Sequence, residues 1–185
     1  MQDYIEFIDE VLVSEPAVQE RVRELGAQIS RDYAGEELLV VCVLRGGITF
    51  AADLTRQINL PHELDCISLS SYGVGNYASS GNVRVNLDLE ANIEGRHVLL
   101  VEDMVDSGRT LARVLDMLRT RGPKSLKVCV LLDKKERREV PVACDYVGFD
   151  VPDKYIFGYG IDIDEHFRHL PFIACADLSK YHKPA

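Results

Sequence analysis

The sequence predicts an α/β fold with a mostly parallel central sheet flanked by helices. Three apolar runs, 38–44, 97–101 and 126–132, contain few polar residues, which is typical of strands buried on both faces. Segments with the apolar spacing of helices separate these runs. Because helices that alternate with parallel strands cover the faces of the sheet, the pattern indicates a doubly wound type of fold.

Three segments have the apolar spacing of amphipathic helices. The first follows Ser14, which can cap it, and has Pro16 in its first turn, where a missing N–H costs little. The second covers 48–58, after the break at Arg45-Gly46-Gly47. The third ends at Gly122-Pro123. The apolar positions of the first and third helices are Val18, Val22, Leu25 and Ile29, and Leu111, Val114, Leu115 and Leu118.

Further strands are expected outside the three apolar runs. Residues 62–72 form one of them, with Leu64, Cys66 and Leu69 as its inward side chains. The remaining strand candidates are 83–89, which alternates in polarity, and the shorter segments 146–149 and 155–159.

The segment 73–82 is long, polar and rich in glycine, so a mobile loop is expected. Loops of this length in a compact domain are usually functional lids. Its first six residues also fit a dinucleotide-binding fingerprint, but Ser-Ser-Gly-Asn follows instead of a helix. A Rossmann site is therefore rejected.

Length and composition predict one well-cored domain. The chain has 185 residues, of which 46% are hydrophobic and 28% charged. Its longest apolar run, 38–44, is far shorter than the ~20 residues of a membrane-spanning helix. The N-terminal residues are acidic and do not resemble a signal peptide. We therefore expect a cytoplasmic location and no membrane partner.

The charge and the cysteines exclude further classes. A formal net charge of −9 disfavours binding to nucleic acid or to an anionic membrane. The five cysteines form no C-x-x-C pair, so we expect reduced, structural thiols and no zinc site. No G-x-x-x-x-G-K-[ST] motif is present either, which excludes a P-loop nucleotidase.

The strongest candidate site follows the strand at 97–101. Glu102 and Asp103 leave this strand, Asp106 follows, and Ser107-Gly108-Arg109-Thr110 opens the third helix. Small residues and a helix N-terminus form an anion cradle, in which Ser107 and Thr110 supply hydroxyls. The adjacent carboxylates can bind sugar hydroxyls or a hard cation such as Mg²⁺. The alternative is a βα loop whose acids only cap the helix.

Residues 101–110 resemble the phosphoribosyl-pyrophosphate motif of the type I phosphoribosyltransferases: two acids at the end of an apolar strand, then acid-small-Gly-x-Thr. Leu44-Arg45-Gly46-Gly47 resembles the pyrophosphate loop of that family, and Ser71-Tyr72-Gly73 the start of its flexible loop. Lys134 and the segment 147–162 resemble the purine-recognising end of the hypoxanthine-guanine phosphoribosyltransferases. The likeness runs from about Leu38 to about Pro171.

The resemblance implies a reaction and a fold. A 6-oxopurine is attached to C1′ of phosphoribosyl pyrophosphate, with Mg²⁺ carrying charge on the released pyrophosphate. It implies a single domain, 1–185, with a core at about 36–150 and a hood formed by the N-terminal and C-terminal segments. Assembly as a homodimer or homotetramer is expected by analogy.

The resemblance also assigns roles to residues. Asp106 faces N7 of the purine as general base, Asp106 to Thr110 hold the 5′-phosphate, and Glu102 and Asp103 bind the ribose hydroxyls and stand near Mg²⁺. Arg45 and Gly46 contact the pyrophosphate, in a loop where family members often have a cis peptide and where lysine is common instead of Arg45. The remaining assignments are Lys134 to the purine O6, Tyr155 to stacking, the Ile156 backbone to the base edge, Asp162 to the second Mg²⁺, Arg168 to pyrophosphate, and Ser71 and Tyr72 to the flexible loop.

The residues alone leave other interpretations open for three of these positions. Lys134 begins a run of charged residues, which is usually a solvated face. Tyr155 lies in an apolar segment and could be core. Asp162 belongs to the polar cluster 162–166, which could be an isolated metal site.

Three functions compete at this stage. The leading hypothesis is salvage of hypoxanthine and guanine. The second is the same reaction with xanthine as a preferred base, since a lysine at O6 accepts every 6-oxopurine. The third is an RNA-binding regulator with a phosphoribosyltransferase fold, which the acidic charge disfavours.

Overall fold

The computed structural model describes residues 3–71 and 83–182. Three helices are present in these ranges: α1 Glu15–Asp32, α2 Ile48–Gln57 and α3 Arg109–Arg119. The nine strands are β1 Ile8–Val13, β2 Leu38–Leu44, β3 His62–Ser71, β4 Val83–Leu87, β5 His97–Val105, β6 Ser125–Asp133, β7 Tyr146–Asp150, β8 Ile156–Phe157 and β9 Ile173–Ala176. Short 3-10 helices lie at Tyr4–Glu6 and Lys135–Arg137.

The main sheet has six strands in the order β4-β3-β2-β5-β6-β7. All neighbouring pairs are parallel except β3 and β4. The predicted α/β fold with a mostly parallel sheet is therefore confirmed.

Helices cover both faces of this sheet. Val40 and Cys42 of β2 pack in one apolar cluster with buried residues of α1 and α2. Leu39 and Val41 pack in another cluster with the apolar face of α3. Because successive side chains of a strand point to opposite faces, burial on both sides explains the continuous apolar run of β2.

A second, antiparallel sheet has the order β1-β9-β8 and combines N-terminal and C-terminal segments. Its residues Val13, Ile156 and Ile173 belong to the same apolar cluster as β2 and α1. On its other side a smaller cluster is built around Phe7 and Phe157, whose ring centroids are 5.5 Å apart. The small sheet is thus packed onto the main one through shared core.

Strand β3 is present, but its predicted inward residues are partly wrong. Leu64 is 56% exposed, Cys66 and Leu69 are half-buried, and Ile67 is the fully buried residue. Ile67 faces the cluster formed with α3. On the opposite face the helices cover β2 but leave Leu64 near the end of the strand in contact with solvent.

Several boundaries differ from the sequence-based prediction. β5 continues through Val105, so Glu102 and Asp103 lie within the strand and not beyond it. β8 contains only two residues of the predicted strand 155–159. Ser14 occupies the N-cap of α1, but its side chain makes no capping hydrogen bond. The predicted loop at 73–82 lies outside the described residues.

All five cysteines are unpaired, as predicted. Burial raises the pKa of Cys42 to about 12 and that of Cys175 to about 11, which keeps these thiols protonated and unreactive at neutral pH. Across 3–71 and 83–182, none of the helices has the length and apolar character to cross a membrane.

The corrected orientation of β3 predicts unequal costs for two truncations on that strand. Ile67→Ala should lower the free energy of unfolding by about 2–5 kcal/mol, because it leaves a cavity in the core. Leu64→Ala, the matched control, should cost less than about 1 kcal/mol, because this side chain is mostly exposed. Urea denaturation measures both, and equal costs would contradict the orientation described here.

Candidate active site

A cavity of about 790 Å³ opens at the carboxyl ends of β5 and β6. Such strand ends are the usual ligand sites of open parallel sheets. Its lining includes six of the residues singled out from the sequence, namely Asp103, Asp106, Lys134, Tyr155, Ile156 and Asp162. Segments far apart in the chain therefore meet at one site.

The junction between β5 and α3 requires a glycine. Gly108 has a φ of 81° at the N-cap of α3, and a β-carbon at this position would come within 2.5 Å of the Val140 carbonyl oxygen. The Ser107 carbonyl accepts hydrogen bonds from the amides of Glu139 and Val140, each at 3.0 Å. The turn is thus fixed against 138–140 and presents the N-terminus of α3, as the expected anion cradle requires.

Glu102 and Asp103 are an adjacent pair of carboxylates. Burial raises the pKa of each, and the Asp103 carboxylate raises that of Glu102 further. The Asp103 amide donates to Glu102 Oε1 at 3.1 Å, and the Met104 amide donates to Asp103 Oδ1 at 2.7 Å. A cation or a pair of hydroxyl donors would relieve the cost of charging this pair.

The donor chemistry of this pair suits Mg²⁺, which takes oxygen ligands and commonly combines one or two carboxylates with substrate phosphates. Within the described ranges, no group of three or more His, Cys, Asp or Glu side chains is arranged to hold a metal ion. The chain by itself therefore offers a partial coordination shell, which a phosphorylated ligand would have to complete.

Asp162 is held by two neighbours. Its Oδ1 lies 2.8 Å from Arg168 Nη2, and its Oδ2 accepts from the Glu165 amide at 2.8 Å. Arg168 also donates to the Gly160 carbonyl at 2.8 Å. The isolated metal site considered for 162–166 is thus replaced by a carboxylate–guanidinium network at the rim of the cavity.

Glu165 belongs to the same network and was missed by the sequence analysis. It accepts from Arg168 at 2.9 Å and from Arg45 at 2.8 Å, and the hydrogen bond from Arg168 lowers its pKa. The loop after β2 is thereby joined to 162–168. Only the spacing of Glu165 from Arg168 along the chain could have suggested this contact.

The loop after β2 carries Arg45 and Gly46. The Leu44–Arg45 peptide bond is cis, as the resemblance implied. A methyl group on Gly46 would overlap the Asp103 carboxylate, and one on Gly160 would overlap the Gly46 carbonyl. The Gly160 backbone thus lies against the Gly46 carbonyl, and the Gly46 backbone lies against the Asp103 carboxylate, which leaves no room for a β-carbon at either position.

Lys134 is buried, with 4% of its surface exposed. Its Nζ donates to the Lys154 carbonyl at 2.7 Å, and burial lowers its pKa. The next residue, Lys135, is exposed and pairs with Asp150 at 2.7 Å. The charged run is therefore solvated at Lys135 but not at Lys134.

Tyr155 lines the cavity and is 38% exposed, so it is not a core residue. Ile156 is buried in β8, where it pairs with Cys175 of β9. Ser71 is the last residue of β3, and Tyr72 lies outside the described residues.

Four further charged residues line the cavity and were not predicted as site residues: Arg137, Asp153, Lys154 and Asp164. Arg137 Nε lies 3.2 Å from Asp106 Oδ1, and its Nη1 lies 3.5 Å from Asp153 Oδ1. The sequence placed Arg137 in a solvated run, since nothing in its residue type separates it from its neighbours.

Residues 10–166 match the family model described as "Phosphoribosyl transferase domain". The chain is 46% identical over 166 residues to a hypoxanthine phosphoribosyltransferase of Salmonella typhimurium, a match that covers 89% of this chain and 93% of that protein. A hypoxanthine phosphoribosyltransferase of Haemophilus influenzae is 48% identical over 167 residues, with the same coverage.

Solved structures give the same picture. A hypoxanthine-guanine phosphoribosyltransferase of Bacillus anthracis is 47% identical and superposes with a TM-score of 0.85, covering 91% of this chain and 98% of that one. A hypoxanthine phosphoribosyltransferase of Staphylococcus aureus is 37% identical with a TM-score of 0.91, and 95% of each chain is covered.

The contact between Gly46 and Asp103 predicts a non-additive pair of substitutions. Gly46→Ala should lower the free energy of unfolding by about 1–3 kcal/mol, because the new methyl group displaces the carboxylate. In an Asp103→Ala background the same change should cost less than about half as much. Urea denaturation of the four proteins at one pH tests this, and an equal cost in both backgrounds would refute the overlap.

Proposed function

This chain belongs to the phosphoribosyltransferase family, and we propose that its cavity binds phosphoribosyl pyrophosphate with Mg²⁺ beside a 6-oxopurine base. The chain is a purine salvage enzyme. It transfers the 5-phosphoribosyl group to hypoxanthine or guanine and yields IMP or GMP and pyrophosphate. The observation that carries the assignment of the cavity is a buried lysine, Lys134, in the same cavity as Asp103 and Asp106.

The base lies between Lys134 and Tyr155 in this proposal. The Lys134 ammonium donates to the purine O6. Because this ammonium is buried, a base that offers no acceptor at that position leaves it without a hydrogen bond, at a high cost in binding free energy. Tyr155 stacks on the ring and the Ile156 backbone contacts its edge. Adenine is rejected because its 6-amino group is a donor and would face the donor of Lys134.

Asp106 accepts the proton of N7 while N9 bonds to C1′ of the ribose. The C1′–oxygen bond to pyrophosphate breaks at the same time, and the electron pair leaves with pyrophosphate. Carboxylates beside the ribose stabilise the positive charge that develops on it. Glu102 and Asp103 bind the ribose hydroxyls, and the turn Asp106 to Thr110 binds the 5′-phosphate through hydroxyls and backbone amides.

Glu102, Asp103 and Asp162 would hold Mg²⁺, which supplies charge neutralisation for the leaving pyrophosphate. The partial oxygen shell described above supports this, because the phosphates of the substrate would complete it. Arg45, Gly46 and Arg168 bind the pyrophosphate; Ser71 and Tyr72 belong to the flexible loop over the site. A homodimer or homotetramer and a cytoplasmic location stay predictions.

The function is tested by initial rates with phosphoribosyl pyrophosphate and Mg²⁺, with hypoxanthine, guanine, xanthine and adenine compared under identical conditions. We expect turnover of the first two, no measurable turnover of adenine, and loss of activity with excess EDTA that added Mg²⁺ restores. If the folded protein converts none of the bases, the enzymatic function is refuted and the RNA-binding regulator is favoured. Activity that survives EDTA would refute the role of the cation.

Asp106→Asn should lower kcat by about 10²–10⁴-fold, the usual contribution of a general base. KM for phosphoribosyl pyrophosphate should change by less than about threefold, because the amide keeps the shape of the turn that binds the phosphate. Steady-state kinetics measures both constants. Equal losses in kcat and in binding would exclude Asp106 as the base.

Lys134→Gln should narrow the ratio of kcat/KM for hypoxanthine over adenine by at least about tenfold. A glutamine amide can donate to O6 or accept from a 6-amino group, whereas an ammonium can only donate. Lys135→Gln is the matched control, because Lys135 is exposed and paired with Asp150. An unchanged ratio in the Lys134 variant would remove this residue from base recognition.

A further inference from the structure

We propose that Arg137, anchored by Asp153, is a positioning residue that orients the Asp106 carboxylate toward the base. The proposal rests on the assignment of Asp106 as the base of the reaction. It adds to that assignment a residue that neither the sequence motifs nor the family resemblance singled out.

The two carboxylate oxygens of Asp106 lie in different surroundings. Its Oδ1 is buried and accepts no hydrogen bond from any described residue, although the side chain as a whole is 40% exposed. The exposed part of the carboxylate therefore lies on the Oδ2 side. Arg137 Nε lies 3.2 Å from Oδ1 and forms an ion pair with it. The guanidinium therefore engages one oxygen and leaves the other to a ligand in the cavity.

Other basic side chains near Asp106 are engaged elsewhere. Lys134 donates to the Lys154 carbonyl. Arg138 binds the carboxylate of Asp133, and its Nε donates to the backbone carbonyl of Asp106 at 3.3 Å rather than to the side chain. Among the described residues, Arg137 is the cation that pairs with the buried oxygen. The 3-10 turn at Lys135–Arg137 places it there, while Lys135 pairs with Asp150.

Asp153 holds Arg137 from the far side, with 3.5 Å between Nη1 and Oδ1. It follows β7 in the chain, whereas Asp106 follows β5, so the guanidinium spans the mouth of the cavity between two separate elements. Two carboxylates on one planar cation limit its rotation, which a single contact would not do.

Stability does not account for this arrangement. The side chain of Arg137 is 52% exposed and that of Asp153 is 44% exposed. Ion pairs in such contact with solvent contribute little to folding. Placement of a reacting group is far more sensitive, since a displacement of about 1 Å can cost 100-fold in rate. The group that benefits is the carboxylate, which must meet N7 as the glycosidic bond forms.

The test compares Arg137→Met with Lys135→Met, two neighbours of equal charge of which only the first contacts Asp106. With hypoxanthine as substrate, Arg137→Met should lower kcat by about 10- to 100-fold, with KM for phosphoribosyl pyrophosphate and thermal stability unchanged. Lys135→Met should retain wild-type kcat. Arg137→Lys should recover part of the loss, and Asp153→Asn should cause a smaller loss of the same kind.

A double substitution separates positioning from direct contact with substrate. In an Asp106→Asn background, Arg137→Met should cost less than about threefold, because the carboxylate on which it acts is gone. A cost equal to that in the wild-type background would mean that Arg137 contacts the substrate itself and would overturn the proposal. So would a kcat of Arg137→Met equal to that of Lys135→Met.

The wild-type rate separates this proposal from the proposed function. If folded wild-type protein turns over no base, the reaction is wrong and the role of Arg137 falls with it. If wild-type protein is active and Arg137→Met matches it, the reaction stands and the role of Arg137 is refuted.

Discussion

The parallel register of β5 with both its neighbours is the constraint on which the site depends. Cys42 is paired with Val101, so the loop after β2 begins beside the Glu102–Asp103 pair. On the other side Val105 is paired with Asp133, and the Lys134 amide donates to the Val105 carbonyl at 3.0 Å. Asp106 and Lys134 therefore emerge as neighbours. A shift of one residue between β5 and β6 would turn one of them away from the cavity.

Burial makes the acids and the lysine of this site costly to ionise. Burial raises the pKa values of Glu102 and Asp103 and lowers that of Lys134, so each of these groups is harder to charge in the folded protein than in water. The positive charge of Arg168 lowers the pKa of Asp103, but Arg168 is itself paired with Asp162 and Glu165. A site with these properties gains from a ligand that brings hydroxyls, phosphates and a divalent cation together.

Sequence patterns predicted the strands that are buried on both faces and the part of the site that is formed by one continuous segment of the chain. β2, β5 and β6 were identifiable because both their faces are covered, and the turn 106–110 because its residue types and spacing are specific. Leu64 was misassigned because an apolar residue does not reveal whether a helix reaches it. Lys134, Lys135 and Arg137 differ in burial and in their partners although their residue types are similar. These differences depend on the direction of one short 3-10 turn and on Asp150 and Asp153, which belong to another part of the chain.

The stack of Gly160, the Gly46 carbonyl and the Asp103 carboxylate couples three segments that are distant in sequence. A methyl group at either glycine meets a part of the chain more than fifty residues away, so a substitution there costs stability because the opposing group must shift. The cost of a larger residue at Gly46 therefore depends on the residue at position 103. For directed evolution of this protein, these positions are best varied together, because a library that enlarges one glycine at a time samples variants that have lost stability.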